Sequence, residues 1–350
     1  MTIYDIFQSA IAAKASDVHL VVGMPPMLRI DGELIDLDAK TLTAKEVESL
    51  SFDLISADEK RRFIESKELD FGYETEDRTR FRVNLFYERG NVGMVARVIS
   101  NCIPTLEDIS TPEIIFELLN LNQGLILVTG PTGCGKSTTL AAMINYINNK
   151  RRANIITLED PIEYSFKSGK SVIVQRQLGS DMTSFSEGLK HALRQDPNVI
   201  MVGEMRDLET IATTITLAET GHLVLATLHT YSASQTVDRI IDIFPPHQQN
   251  QVRMQLSTTL AGIISQRLIP KQSGGRVAAR EIMINIPAVS NLIRENKIAQ
   301  LRTVIETNFK KGMVSMDQDL KRLFSEGVIT KEVAQSYMEN PEFLEKFRLM

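Results

Sequence analysis

The sequence predicts an α/β protein in three stretches: an N-terminal α+β unit, a phosphate-binding domain on a mostly parallel sheet, and a C-terminal helical region. Three observations carry this. Four short runs rich in Ile, Val and Leu (Gly124–Thr129, 154–158, Val199–Val202 and Leu223–Leu228) alternate with helix-spaced stretches, as in a parallel sheet covered on both faces. A glycine-rich loop, Gly130-Pro-Thr-Gly-Cys-Gly-Lys-Ser137, follows the first run and precedes a helical stretch. Before residue 100 the pattern is one of short strands, hairpins and helical segments.

The expected boundaries are 1–100 for the first unit, 101–112 for a linker, 113–270 for the phosphate-binding core and 271–350 for the helical region. Residues 3–15 have helical spacing, and 18–22 read as a strand stopped by Gly23 and the Pro25-Pro26 pair. Residues 28–35 read as a hairpin turning at Asp31-Gly32, and 45–65 again have helical spacing. A second hairpin spans 80–99 with its turn near Arg89-Gly90-Asn91. If the loop is Arg89-Gly90, Glu88 pairs with Asn91 and Arg82 falls opposite Arg97; a three-residue loop or a bulge would break that pairing. Residues 102–112 hold two prolines and several polar residues, as an interdomain linker would. Beyond Gly274-Gly275 the pattern is mostly helical.

Length and composition bound the function. A chain of 350 residues suits about two domains of ordinary size, each able to bury its own core. Cys102 and Cys134 form no CxxC pair, so neither a thiolate zinc site nor a disulfide framework is indicated, and the chain reads as cytosolic. No basic stretch followed by an apolar core opens the sequence, and no apolar run approaches the roughly 18 residues of a membrane span. The net charge of −5 speaks against a chain built to hold nucleic acid.

The glycine-rich loop carries the most specific chemistry. Gly130, Gly133 and Gly135, with Pro131, Thr132 and Cys134 between them, let backbone N–H groups curl around phosphate oxygens. The helix beginning near Lys136, Ser137 and Thr138 turns its positive end to the anion. Lys136 adds charge at the β/γ-phosphates, and Ser137 offers a hydroxyl to magnesium, so ATP and Mg2+ are the expected ligands. Cys134 supplies backbone here, with redox chemistry the alternative.

Ligands of open parallel sheets bind beyond the carboxyl ends of the strands. The apolar runs deliver Glu159-Asp160-Pro161-Ile162-Glu163, then Gly203-Glu204, then His229 to that edge. Hydrolysis needs magnesium ligation and a carboxylate that orients or deprotonates water. Glu204 is the candidate for magnesium or its waters, and Glu163 for general base, with Glu159 and Asp160 as alternatives. His229 sits where it could sense the γ-phosphate. If one strand joins His222 to His229, they lie roughly 23 Å apart, so His222 serves structure or a subunit interface.

Like charges directly opposite in a hairpin destabilise it. Arg82 facing Arg97 therefore calls for an anion or a carboxylate, and we expect both to reach ATP on a neighbouring subunit; a solvated charged face is the alternative. Arg194, in Leu193-Arg194-Gln195-Asp196-Pro197, is a further phosphate-side candidate.

Together GPTGCGKSTT, ITLEDPIEY, LRQDPNVIMVGEMRD and TGHLVLATLHT resemble the Walker A, Asp box, Walker B and His box of the secretion ATPases of type II secretion and type IV pili. KASDVHLVVGMPPMLRIDGEL is similar to that family's PAS-like N-terminal domain in its retraction branch. The resemblance implies a RecA-like core and a homohexamer with ATP between subunits. It assigns Glu163 as base, Glu204 to Walker B, His229 to the His box, and Arg82 and Arg97 as arginines brought to the nucleotide.

Assembly ATPases of this family usually carry a further N-terminal domain and a tetracysteine insert; their lack here points to the retraction branch. Residues 288–295, AVSNLIRE, resemble its motif AIRNLIRE, departing at Val289 and Ser290 and keeping Arg294 and Glu295. The resemblance implies a motor on the cytoplasmic side of the inner membrane, working on a pilus platform protein, with a paralogous retraction ATPase as a further partner. An accessory retraction role, pilus extension or type II secretion, DNA translocation and a non-hydrolysing ring stay open as rivals.

Overall fold

The computed structural model describes residues 1–30, 32–37, 39–76, 79–99 and 103–342. Asp31 of the expected turn, Asn101 and Cys102 of the expected linker, and 343–350 of the expected helical region lie outside the described residues. The chain divides into two units: Met1–Cys102 with Pro161–Ser165, and Ile103–Asp160 with Phe166–Met350.

The first unit runs α1 (Ile3–Ala12), β1 (Asp17–Leu20), β2 (Met27–Ile30), β3 (Glu33–Asp36), α2 (Ala44–Phe52), α3 (Ala57–Ser66), β4 (Glu68–Glu74), β5 (Arg80–Glu88) and β6 (Asn91–Ile99). Its strands form one antiparallel sheet in the order β3-β2-β1-β6-β5-β4. Period-two alternation sends Phe81, Val83 and Leu85 of β5 inward and leaves Arg82 exposed on the other face. Phe81 stacks on Phe7 of α1 at 3.9 Å between ring centroids, and Phe63 and Met94 are fully buried beside them. The stretch 45–65 is two helices rather than one. Ser56 and Glu59 form a capping box that starts α3 afresh, so local N-terminal chemistry overrides continuous helical spacing.

The second unit runs α4 (Glu113–Leu119), β7 (Gly124–Thr129), α5 (Lys136–Lys150), β8 (Asn154–Glu159), β9 (Val172–Gln177), α6 (Phe185–Ala192), β10 (Val199–Val202), α7 (Leu208–Glu219), β11 (Leu223–Leu228), α8 (Ala233–Asp242), α9 (Pro246–Thr259), β12 (Leu260–Pro270) and β13 (Arg276–Ile284). Helices α10 (Pro287–Arg294), α11 (Leu301–Thr307), α12 (Met316–Ser325) and α13 (Lys331–Tyr337) follow. The strand order is β13-β12-β7-β11-β10-β8-β9, parallel throughout except for β13.

Both faces of this sheet are covered, which is why β7 and β11 read as unbroken apolar runs. Leu125, Leu127, Val224 and Ala226 face one core with α7, α8 and α9; Ile126, Val128, Leu223 and Leu225 face the other with α4 and α5. The fold class is the one expected from the sequence. Arg276–Ile284, however, is a strand where the pattern reads as helical: Ala278, Ala279 and Glu281 are helix formers, and pairing with β12 overrides them.

One partly buried carboxyl should contribute a pH dependence to the stability of this unit. Glu281 of β13 accepts from the Ala233 N–H, the first residue of α8, at 2.8 Å, and burial pushes its carboxyl up. A folded value above the unfolded one favours the folded state at low pH, and that advantage is lost as pH rises through the folded value. Glu281→Gln keeps an acceptor for Ala233 and removes the ionisation. It should raise the melting temperature by a few degrees at pH 8 and by much less at pH 4.5, which calorimetry at the two pH values would show.

Candidate active site

β7 runs directly into the glycine-rich loop, and α5 starts at Lys136 with Gly135 as its N-cap. No side chain caps α5, so its first-turn N–H groups stay available to an anion. Gly130 has φ +144 and Gly135 φ +89, regions that L side chains avoid. A Cβ on Gly130 would also meet the Gln266 carbonyl at 2.3 Å and the Cys134 Sγ at 2.6 Å. The loop therefore requires glycine there for both backbone and space.

Lys136 is 9% exposed, and its Nζ donates to the carbonyls of Gly130 at 2.9 Å and Pro131 at 3.2 Å. It also lies 3.4 Å from His229 Nδ1, while His229 Nε2 lies 3.2 Å from Glu204 Oε1. Lys136 can only donate, so the network assigns Nδ1 as acceptor and Nε2–H as donor to the carboxylate. Glu204 Oε2 is held by Arg206 at 2.8 Å. Burial alone would raise the Glu204 carboxyl, but the Arg206 hydrogen bond and charge, with the His229 ring, outweigh it and hold it below its ordinary value. Lys136, His229, Glu204 and Arg206 thus form one polar chain across the carboxyl ends of β7, β11 and β10.

Backbone pairing places these groups. The Gly203 N–H donates to the Leu158 carbonyl at 2.8 Å, and the Met205 N–H to Thr227 at 3.1 Å, so the turn carrying Glu204 is stitched to the ends of β8 and β11. The Thr227 hydroxyl donates to the Gly203 carbonyl. Glu159 ends β8 buried, accepting from the Thr157 hydroxyl at 2.6 Å and the Gln175 amide at 3.0 Å. Those bonds occupy it in the sheet.

Other sequence candidates fall elsewhere. Glu163 belongs to Pro161–Ser165, which groups with the N-terminal unit. Arg194 does not come to the phosphate loop within one chain. Its turn precedes β10, and Asn154, the first residue of β8, bonds the adjacent Gln195 and Asp196 carbonyls at 2.7 and 3.0 Å. That is the edge where the strands begin. His222 precedes β11 at the same edge, with Nδ1 3.0 Å from the Leu217 carbonyl near the end of α7. Cys134 is buried, and burial raises its thiol, which suits an inert residue.

In the N-terminal unit the hairpin register is Glu88 with Asn91 and Arg82 with Arg97. The carboxylate that relieves the pair comes from β1. Asp17 lies opposite Arg97, and Arg97 Nε donates to it at 2.9 Å. Burial would raise the Asp17 carboxyl, but Ser16 and Arg97 together hold it below its ordinary value. Arg82 has no ion-pair partner among the described residues.

The variant motif on α10 is anchored inside its own unit. Ser290 Oγ lies 2.9 Å from both the Ser257 carbonyl and Asn285 Oδ1, which share its one proton, while Val289 and Ile293 are fully buried. Arg294 bonds Asn291, and Glu295 pairs with Lys297 at 2.7 Å, both on the exposed face. Arg206 went unremarked in the sequence; its signal was a cation two residues beyond Glu204. Magnesium fits this donor set. It keeps several waters and takes one or two carboxylates beside phosphate oxygens, so Ser137 and Glu204 would suffice without a protein cage. Among the described residues no cluster of three metal-ligating side chains exists.

A glycine-rich phosphate loop, a strand-end carboxylate and a histidine on one mostly parallel sheet define a P-loop nucleotide-binding protein. The chain belongs to the family described as type II/IV secretion system protein, whose model matches residues 1–279. It is 46% identical to the type IV pilus retraction ATPase PilT of Pseudomonas aeruginosa, over 98% of this chain and 99% of that one. It is also 46% identical to a twitching motility protein of Neisseria gonorrhoeae, over 91% of this chain and 85% of that one. The crystal structure titled as the pilus retraction motor PilT with bound ADP matches with a TM-score of 0.93, at 46% identity, covering 99% of this chain and 100% of that chain.

Proposed function

We propose that this chain is an ATP-hydrolysing motor that drives type IV pilus retraction, acting as a homohexamer. The observation that carries the reading is the Lys136–His229–Glu204 chain at the mouth of the phosphate loop. The relatives' retraction and twitching-motility functions agree with it.

ATP binds with its phosphates on the N–H groups of Gly130–Thr138. Lys136 leaves the carbonyls of Gly130 and Pro131 for the β/γ-phosphates, because a multiply charged anion outcompetes two neutral acceptors. His229 Nδ1 then loses its donor and reports the arrival of phosphate to Glu204. Ser137 and Glu204 would hold magnesium, which when bound would screen the developing charge. Glu163 is the base that orients water. Arg82 reaches the nucleotide of a neighbouring subunit, and Arg97, braced by Asp17, stands beside it. Among the described residues no helix is long and apolar enough to cross a membrane. The motor works from the cytoplasmic side on an inner-membrane platform protein, with Arg294 and Glu295 presented on the exposed face of α10.

Microscopy of fluorescently labelled pili tests the assignment. Cells lacking this chain should extend pili that fail to retract, and the wild-type gene, but not Lys136→Ala, should restore retraction. Loss of surface pili in the deletion strain would instead make this an extension motor.

A further inference from the structure

Gln266 is a large polar residue, 1% exposed, on β12, well outside the four motifs. Its side chain lies under the phosphate loop. Nε2 donates to the Cys134 carbonyl at 2.8 Å, and Oε1 accepts from the Thr139 hydroxyl at 2.9 Å. The amide orientation is forced: reversed, it would set its oxygen against a carbonyl. The Gln266 backbone carbonyl is also what a Cβ on Gly130 would strike, and its Nε2 would lie 3.4 Å from a Cβ on Gly135. One residue therefore touches the first glycine, the last glycine and the first turn of α5.

We infer that Gln266 is a positioning residue for nucleotide binding, setting the direction in which the phosphate loop presents its N–H groups. The inference rests on the reading of Gly130–Thr138 as the phosphate cradle. The Cys134 carbonyl and the Gly135 N–H are opposite ends of one planar trans peptide. Holding the carbonyl outward on Gln266 aims the N–H the other way, into the loop. The Thr139 bond fixes the same amide against α5, so peptide plane and helix N-terminus share one reference. An unanchored peptide would pay that orientation on binding. The contribution is made to ground state and transition state alike, so it belongs in KM rather than kcat.

The test uses the full-length protein, fluorescence titration with ADP and steady-state ATP hydrolysis. Gln266→Met removes both hydrogen bonds at similar length. Gln266→Glu keeps an acceptor for Thr139 and sets a carboxylate against the Cys134 carbonyl. Each should weaken ADP binding and raise the KM for ATP about tenfold, with kcat within about threefold of wild type. A variant that merely loses folded protein lowers kcat at unchanged KM, and that result would overturn the inference, as would wild-type ADP affinity in both variants. Thr139→Val reads the same strut from its other end. If the Gln266 variants do not fold, a KM raised about threefold in Thr139→Val supports the inference and a wild-type KM overturns it. Lys136→Ala separates the two levels. Wild-type ADP affinity in Lys136→Ala would refute the phosphate-cradle reading itself, whereas weak binding there beside wild-type Gln266 variants refutes only the role of Gln266.

Discussion

Lys136→Ala should reduce ATP turnover by about a thousandfold or more. The ammonium is the only side-chain charge of Gly130–Ser137 among the described residues, and its partners include two neutral carbonyls and an imidazole nitrogen. Alanine takes a donor from the buried Gly130 carbonyl, so the apo protein should melt a few degrees below the wild type while remaining folded. The loss then falls on phosphate binding and on charge developing at the γ-phosphate, where a fixed cation in a poorly hydrated site counts most. A malachite-green phosphate assay on purified protein, paired with a thermal melt, separates the two effects. Turnover within tenfold of wild type would mean that the phosphates lie elsewhere.

Arg82→Ala should lower kcat by about 10³ while changing ATP affinity little, since an arginine supplied to a phosphoryl transfer acts on the transition state. The contrast with Arg97 explains the choice. Asp17 already engages Arg97, and the pair holds β6 to β1; removing Arg97 would leave a mostly buried carboxylate with Ser16 alone. Arg82 is exposed and its removal strands nothing. If it acts across a subunit boundary, mixing Arg82→Ala with Lys136→Ala should partly restore activity. Some sites then combine an intact Lys136 from one chain with an intact Arg82 from its neighbour. Mixed samples no more active than either parent would assign Arg82 to its own subunit's chemistry or to none.

Much of this was legible in the sequence because the deciding interactions are local or periodic. β7, β10 and β11 are short apolar runs flanked by glycine or polar turns, and the loop between β7 and α5 is a contiguous motif. The register of β5 with β6 followed from counting back from a two-residue turn. What escaped notice depends on distant partners. Asp17, the carboxylate that Arg97 required, lies 80 residues away in sequence. Gln266 meets Thr139 across 127 residues, and nothing around Ser265-Gln266-Arg267 announces that meeting. The neighbours of Arg194 carry charge and proline, which mark a turn without saying at which edge of the sheet it falls. β13 was read as helical because its alanines and glutamate favour helix, whereas antiparallel pairing along β12 decides its state. Ser290 departs from the motif, and its hydroxyl joins α10 to the end of α9 and the turn at Asn285, partners 33 and 5 residues away.

The central physical claim is that the tips of β7, β10 and β11 meet a triphosphate at one edge of the core sheet. A crystal structure with a non-hydrolysable ATP analogue and magnesium tests it most directly. We expect the phosphates against the N–H groups of Gly133–Thr138, with Lys136 Nζ moved from the Gly130 carbonyl to within about 3 Å of a phosphate oxygen. Glu204 and His229 should face the γ-phosphate. An analogue bound away from this loop, with Lys136 still on Gly130 and His229 still bridging to Glu204, would contradict the account.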